Sequence, residues 1–147
     1  MKISSRAFIN NGRIPEKYTC KGDGVNPPLT FSEIPEGCQS LLLIMNDPDA
    51  VSGNFLHWLV WSIPPNTTEV TEGKGIYNGR EGVNGAGKVG YIGPCPPSGT
   101  HRYIFTLYAL DNVVDLPVGV KLEQIPEIIK PNVIDSAELI GVFGNNF

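Results

Sequence analysis

Hydrophobic and polar positions alternate over short distances along this chain, and turn-forming residues interrupt the pattern every few positions. The 147 residues include 13 prolines and 17 glycines, and helical periodicity is absent before the C-terminal part. Short strands joined by turns are the arrangement that this punctuation favours. We therefore predict a mainly β fold, an antiparallel β-sandwich of two sheets with one or two short helices near the C-terminus. No linker or repeat interrupts residues 1–147, which we expect to form a single domain.

Three segments carry the strongest strand signals. The continuous apolar run Leu41–Met45 is typical of a strand that is covered on both faces. The segment Phe55–Ile63 alternates between two faces, one of which is apolar except for His57 at its leading end. The third segment, Tyr103–Leu110, is rich in β-branched and aromatic residues. Further strands are predicted at Ile3–Ile9, Leu29–Phe31 and Glu138–Phe143.

Helical character is confined to residues 122–134, and two prolines interrupt it. Pro126 is compatible with the first turn of a helix, where its missing N–H needs no partner. Pro131 should end or kink that helix. We expect short helical pieces here.

The overall charge argues against a nucleic-acid partner. The net charge is −4 with no run of basic residues, whereas binding to phosphate backbones needs clustered lysine and arginine. The longest apolar run is far too short to cross a bilayer, so we predict a protein that is not membrane-integral. The first residues, Met1–Phe8, lack the apolar segment of a secretory signal, so we predict a cytoplasmic location.

The cysteines favour neither a disulfide framework nor an enzyme. The chain has an odd number of cysteines, which are widely spread and form no Cys-x-x-Cys motif: Cys20, Cys38 and Cys95. With only two histidines beside them, we predict neither a metal site nor a cofactor. A Cys95–His101 nucleophile pair can be drawn, but prolines flank Cys95, so no helix N-terminus can lower the pKa of its thiol. No Gly-x-Ser-x-Gly occurs either, and we expect no catalytic residues.

A glycine-rich connection, Gly73–Gly93, imitates two nucleotide-binding motifs. Gly82–Lys88 fits the Walker pattern except that Val89 replaces the final serine or threonine, and Gly85–Gly90 fits G-x-G-x-x-G. Both motifs need a helix directly afterwards, because its N-terminus stabilises the phosphates. The residues that follow end in a Gly-Pro pair and cannot open a helix, so nucleotide binding is disfavoured.

Three polar clusters stand at the ends of predicted core strands. They are the Asp47-Pro48-Asp49 turn, His57 and the proline-stiffened segment Gly93–Tyr103. In an extended chain His101 and Tyr103 point to one face while Arg102 points to the other. If the strands are neighbours, these carboxylates, imidazoles and the phenol meet in one small cavity. Asp47, Asp49 and His57 are also of the residue types that bind metals, but we favour hydrogen-bonding roles.

The same clusters resemble those of the phosphatidylethanolamine-binding protein family, in its prokaryotic Raf kinase inhibitor-like branch. The similarity lies in Asp-Pro-Asp-Ala at Asp47–Ala50, His57 at the head of a tryptophan-containing strand, and Gly-Pro-x-Pro-Pro-x-Gly-x-His-Arg-Tyr at Gly93–Tyr103. It extends over nearly the whole chain, including Tyr18–Cys20, Asn26–Leu29 and Ala137–Gly141. One departure is Val51, where the family usually has proline; without the proline ring we expect a looser turn at the rim of the pocket.

The resemblance implies a non-enzymatic binding module with a small pocket for phosphate or a phosphorylated headgroup. The ligand-binding residues that it implies are Asp47, Asp49, His57, Gly93, Pro96, Pro97, His101 and Tyr103. An imidazole N–H or a phenol can donate to a phosphoryl oxygen, and a neighbouring carboxylate fixes the imidazole tautomer. The alternative function is inhibition of a partner protease or kinase through the protein surface. Relatives in this branch also lead us to expect a homodimer.

Overall fold

Within residues 1–144, which the computed structural model describes, nine strands form two sheets. The smaller sheet has the order β1-β3-β6, and the larger has the order β2-β9-β8-β4-β5-β7. The strand bounds are β1 Lys2–Ser4, β2 Gly12–Arg13, β3 Leu29–Ser32, β4 Ser40–Asp47, β5 Phe55–Ile63, β6 Glu69–Val70, β7 Arg80–Glu81, β8 Thr100–Leu110 and β9 Val133–Gly144. The predicted mainly β, two-sheet architecture is confirmed.

The large sheet is covered on both faces, as the pattern of β4 predicts. Leu41, Leu43 and Met45 face the small sheet and join the main core, which also holds Phe31 and Trp58. The alternate side chains belong to a second core on the opposite face of the sheet, where the segment after β8 covers them. That core contains Leu42, Ile44, Leu59, Leu116, Ile125 and Ile129. Because neither face of β4 meets solvent along its middle, residues Leu41–Met45 are uniformly apolar.

Two strand ends and one strand pairing differ from the prediction. The N-terminal strand stops at Ser4, because the Ser5 hydroxyl accepts the Ala7 N–H and donates to the Pro28 carbonyl, which starts a turn. The last strand begins at Val133, earlier than the sequence suggests. The two-residue strand β2 pairs with β9 in parallel, while the other strand pairs within the described residues are antiparallel.

The helical region follows the prolines. The helix α1 spans Ile125–Ile129 with Pro126 in its first turn, and 3-10 turns flank it at Leu122–Gln124 and Lys130–Asn132. Pro131 lies in the second 3-10 turn, so the α-helix ends before it, as predicted. A further 3-10 turn covers Glu16–Tyr18. No helix in the described part of the chain is long and apolar enough to cross a membrane.

A disulfide between Cys20 and Cys95 contradicts the prediction from the cysteine pattern. The two Cα atoms lie 5.5 Å apart although 75 positions separate them in sequence, and Cys38 remains a free thiol. The partners are brought together because the turn after Glu16–Tyr18 packs against the loop before β8. The Cys20 N–H donates to the Pro94 carbonyl at 3.1 Å, and the Tyr91 hydroxyl donates to the Tyr18 carbonyl at 2.7 Å.

Gly93 shows how closely these two segments approach. A Cβ atom at this position would lie 2.6 Å from the Tyr18 carbonyl oxygen, too close for any side chain. The turn at residues 18–22 therefore fixes the loop at residues 91–95 through backbone contact, two hydrogen bonds and the disulfide.

Candidate functional site

A cavity of about 340 Å³ opens at one end of the large sheet. The strand β4 runs antiparallel to both β5 and β8, so its last residue, Asp47, lies beside Phe55 at the start of β5 and close to the first residues of β8. The predicted polar clusters at these strand ends therefore meet. The lining residues are Asp47, Ala50, Val51, Ser52, Phe55, His57, Ile92, Gly93, Cys95, Pro96, Pro97, His101 and Tyr103.

Asp47 and His101 form a buried hydrogen-bonded pair in this cavity. The Nδ1 of His101 lies 2.7 Å from Oδ2 of Asp47, and the two residues are 8% and 3% exposed. The other carboxylate oxygen, Oδ1, accepts the Asp49 N–H at 2.8 Å. Because the carboxylate accepts from Nδ1, it is the Nε2 of His101 that remains for a ligand.

His57 is oriented by a backbone carbonyl. Its Nδ1 lies 2.7 Å from the oxygen of Ile92, and since a carbonyl can only accept, Nδ1 carries a proton. The ring is 5% exposed, and burial lowers its pKa despite the raising effects of the Ile92 carbonyl and Asp47. Among the described residues, the hydrogen bond to this ring is made at Nδ1. The other ring nitrogen, Nε2, is therefore available to a ligand in the cavity. A neighbouring carboxylate, that of Asp47, thus fixes the tautomer of His101, whereas the Ile92 carbonyl fixes that of His57.

Tyr103 lines the cavity and neighbours both histidines. Its ring lies edge-on to His57 with centroids 5.2 Å apart and stacks with His101 at 6.4 Å. The residue is fully buried, and its hydroxyl has no hydrogen-bond partner among the described residues. Burial, together with the negative charges of Asp47 and Asp49, raises the pKa of this phenol, so it stays protonated. A buried hydroxyl without a partner is a costly arrangement in a folded protein.

Asp49, also predicted as a ligand-binding residue, does not line the cavity. Its carboxylate binds the Arg102 guanidinium through two contacts, at 2.9 and 3.0 Å, and accepts the Arg102 N–H at 2.9 Å. These hydrogen bonds lower the pKa of Asp49 to about 2. Arg102 points to the face opposite His101 and Tyr103, as the strand alternation predicts. The pair therefore secures the turn after β4 to the start of β8 from outside.

Gly93, Pro96 and Pro97 form one wall, as the sequence predicts, and the Ala50–Ser52 turn forms the opposite rim. Val51, which stands where the family usually has proline, is 86% exposed at the mouth of the cavity.

Sequence reasoning missed three contributors to the site. Phe55 lines the cavity, and its position two residues before His57 on the same strand was a usable signal. The sequence gives no sign of the Ile92 carbonyl, because every residue has a backbone carbonyl. Cys95 lines the cavity as half of the disulfide, which also removes its thiol from the Cys–His alternative.

The glycine-rich connection forms no phosphate-binding loop. Its centre is a turn closed by Asn84, whose side chain accepts the Ala86 N–H and donates to the Gly90 carbonyl at 2.9 Å each. Val83 and Val89 are bridged across this turn, and no helix follows. Backbone amides that a phosphate would need are thereby occupied.

With this geometry established, comparison with known proteins identifies the family. The profile of the phosphatidylethanolamine-binding proteins matches residues 4–144. The chain belongs to the phosphatidylethanolamine-binding protein family. Family members designated UPF0098 proteins are 43% identical in Methanothermobacter thermautotrophicus and 41% identical in Chlamydia trachomatis, each match covering 97% of this chain and 98% of the relative.

Solved structures of family members share the fold. The crystal structure of the homologue CT736 from Chlamydia trachomatis superimposes with a TM-score of 0.92 at 40% identity, over 99% of this chain and 97% of that one. Escherichia coli YbcL, described as a member of the mammalian family, gives a TM-score of 0.88 at 26% identity, covering 97% of both chains. Membership of this family supports a general function as a binding module.

Proposed function

We propose that this protein is a non-enzymatic binding module whose cavity holds a small oxyanion, either phosphate or the phosphoryl group of a headgroup. The observation that carries the proposal is the buried Tyr103 hydroxyl, which has no partner among the described residues and belongs to a ring that neighbours both imidazoles. A phosphoryl oxygen of a bound guest would accept a hydrogen bond from this hydroxyl and satisfy it.

The dimensions and lining of the cavity agree with a small ligand. A volume of about 340 Å³ is at the small end of the range for ligand sites, and the walls are largely apolar with a few convergent polar groups. Phe55, Pro96 and Pro97 would exclude water around the bound group, which strengthens each hydrogen bond to it.

Titration with inorganic phosphate and with phosphoethanolamine tests the proposal. Ring-nitrogen and ring-carbon NMR signals of His57 and His101 should shift and saturate with both ligands at millimolar concentrations. The Tyr103→Phe variant should bind about tenfold more weakly, because it lacks the hydrogen bond to a charged acceptor.

Tyr77→Phe is the matched control, since Tyr77 is 83% exposed and does not line the cavity. This variant should bind like the wild type. Saturable binding that leaves both histidine signals unmoved, or binding that Tyr103→Phe and Tyr77→Phe weaken equally, would show that the ligand sits elsewhere.

Three narrower expectations from the sequence remain predictions. They are inhibition of a partner protease or kinase, a cytoplasmic location and a homodimer. The Cys20–Cys95 disulfide is of the kind that persists in oxidising compartments, so it weighs against the cytoplasmic expectation.

A further inference from the structure

The charges that face the cavity are unusual for an anion site. Among the described lining residues there is no lysine or arginine, and Asp47 contributes a negative charge. The nearest guanidinium, that of Arg102, points to the other face of β8 and is bound to Asp49. A fully ionised guest would therefore meet a carboxylate without a fixed cation to offset it.

The titratable groups come from each strand that borders the cavity. β4 supplies Asp47, β5 supplies His57, and β8 supplies His101 and Tyr103. The loop that forms the remaining wall supplies no titrating group, because Cys95 is in the disulfide.

His57 is held as a proton acceptor towards the cavity. The Ile92 carbonyl keeps the ring proton on Nδ1, so the Nε2 of the neutral ring presents a lone pair. Burial of the ring favours this neutral form over the imidazolium. The Tyr103 ring lies 5.2 Å from that of His57, and its hydroxyl is a donor without a partner among the described residues. The two groups match a guest that carries both an acidic O–H and an anionic oxygen.

We propose that the cavity selects oxyanions that carry an ionisable proton, such as hydrogen phosphate or a monoprotonated phosphomonoester, over fully ionised oxyanions such as sulfate. The P–O–H of the guest donates to Nε2 of His57, and an anionic oxygen accepts from Tyr103. No covalent bond changes, and the shared proton stays between the guest and the imidazole. This inference rests on the proposed function, since it specifies which anions that site accepts.

Inorganic phosphate and sulfate at pH 7.5 are the deciding pair of probes, because they have nearly the same size and charge and differ in one proton. Calorimetry on the wild-type protein should show phosphate binding about tenfold more tightly than sulfate, since sulfate leaves the Nε2 lone pair unmatched. The His57→Asn variant keeps a donor for the Ile92 carbonyl but lacks Nε2, so this preference should be lost.

A second measurement needs no variant. A phosphomonoester loses its last proton with a pKa of about 6, so phosphoethanolamine is mostly a dianion at pH 7.5. Its binding should then take up close to one proton, measured by calorimetry in two buffers with different ionisation enthalpies.

The outcomes separate this inference from the proposed function. Sulfate binding as tightly as phosphate, or phosphoethanolamine binding without proton uptake, would overturn the inference while leaving an anion site in place. If none of phosphate, phosphoethanolamine and sulfate binds, both the inference and the proposed function are wrong.

Discussion

Replacing Tyr103 by phenylalanine should make the unliganded protein more stable while weakening its site. The substitution removes one hydroxyl and keeps the ring that packs against His57 and His101. In the unfolded chain this hydroxyl is hydrated, but in the folded protein it is buried without a partner among the described residues. Such a group costs about 1–3 kcal/mol. Because the phenol borders an open cavity, we expect the lower end, a gain of about 1 kcal/mol in the free energy of unfolding.

Tyr91→Phe provides the matched comparison, since it is the same chemical change at a satisfied hydroxyl. The Tyr91 hydroxyl donates to the Tyr18 carbonyl at 2.7 Å, so its loss should cost about 1 kcal/mol. Urea unfolding of both variants beside the wild type, without ligand, measures the two changes. In thermal unfolding the Tyr103→Phe gain corresponds to roughly 3 °C for a domain of this size. If Tyr103→Phe destabilises the protein as much as Tyr91→Phe does, the Tyr103 hydroxyl has a partner and our assignment of its role is wrong.

Three further predictions concern groups around the cavity. Burial lowers the pKa of His57. Just below the ordinary histidine pKa the unfolded chain therefore binds more protons than the folded protein, and the free energy of unfolding should fall as the pH drops through that range. His57→Asn should lose less stability than the wild type between pH 7 and pH 5 in urea unfolding (roughly the histidine range), and equal slopes would contradict this. The pKa of Asp49 is lowered to about 2, so its stabilising contribution is present above the ordinary aspartate pKa and disappears as pH falls towards 2; Asp49→Asn should therefore be less stable than the wild type at neutral pH but not in strong acid. Replacing Cys20 and Cys95 together by serine should cost about 4 kcal/mol of unfolding free energy, as expected for a closed loop of this length, whereas Cys38→Ser should leave the response to a reductant unchanged. A double variant as stable as the wild type would show that the disulfide contributes nothing.

The long core strands could be predicted because their composition reports burial directly. The apolar run of β4 and the alternation of β5 follow from the layers that cover them. The strand β5 was predicted with the same bounds as the structure shows, Phe55–Ile63. In contrast, β6 and β7 have two residues each and form by pairing with a longer strand. Their local sequence therefore has no pattern that predicts a strand.

The cavity could be predicted in outline because its residues sit at strand ends that antiparallel pairing brings together. The direction in which each side chain points was harder to predict from the sequence. Asp49 follows a proline turn rather than a strand, so the period-two rule does not apply, and its carboxylate points to Arg102. The disulfide was missed because pairing over 75 positions depends on two irregular segments packing together, which cysteine spacing does not encode.

The alternation along β8 means that strand alignment decides the chemistry of the cavity. The pairing of Thr106 with Ile44 on one side and with Glu138 on the other fixes which residues face inward. A slip of a single residue would exchange the imidazole and phenol for the guanidinium of Arg102 and the side chain of Ile104. The cavity would then hold a permanent cation instead of a shared proton, and sulfate would bind as tightly as phosphate. Sheet register in this protein is therefore also a ligand-selecting element.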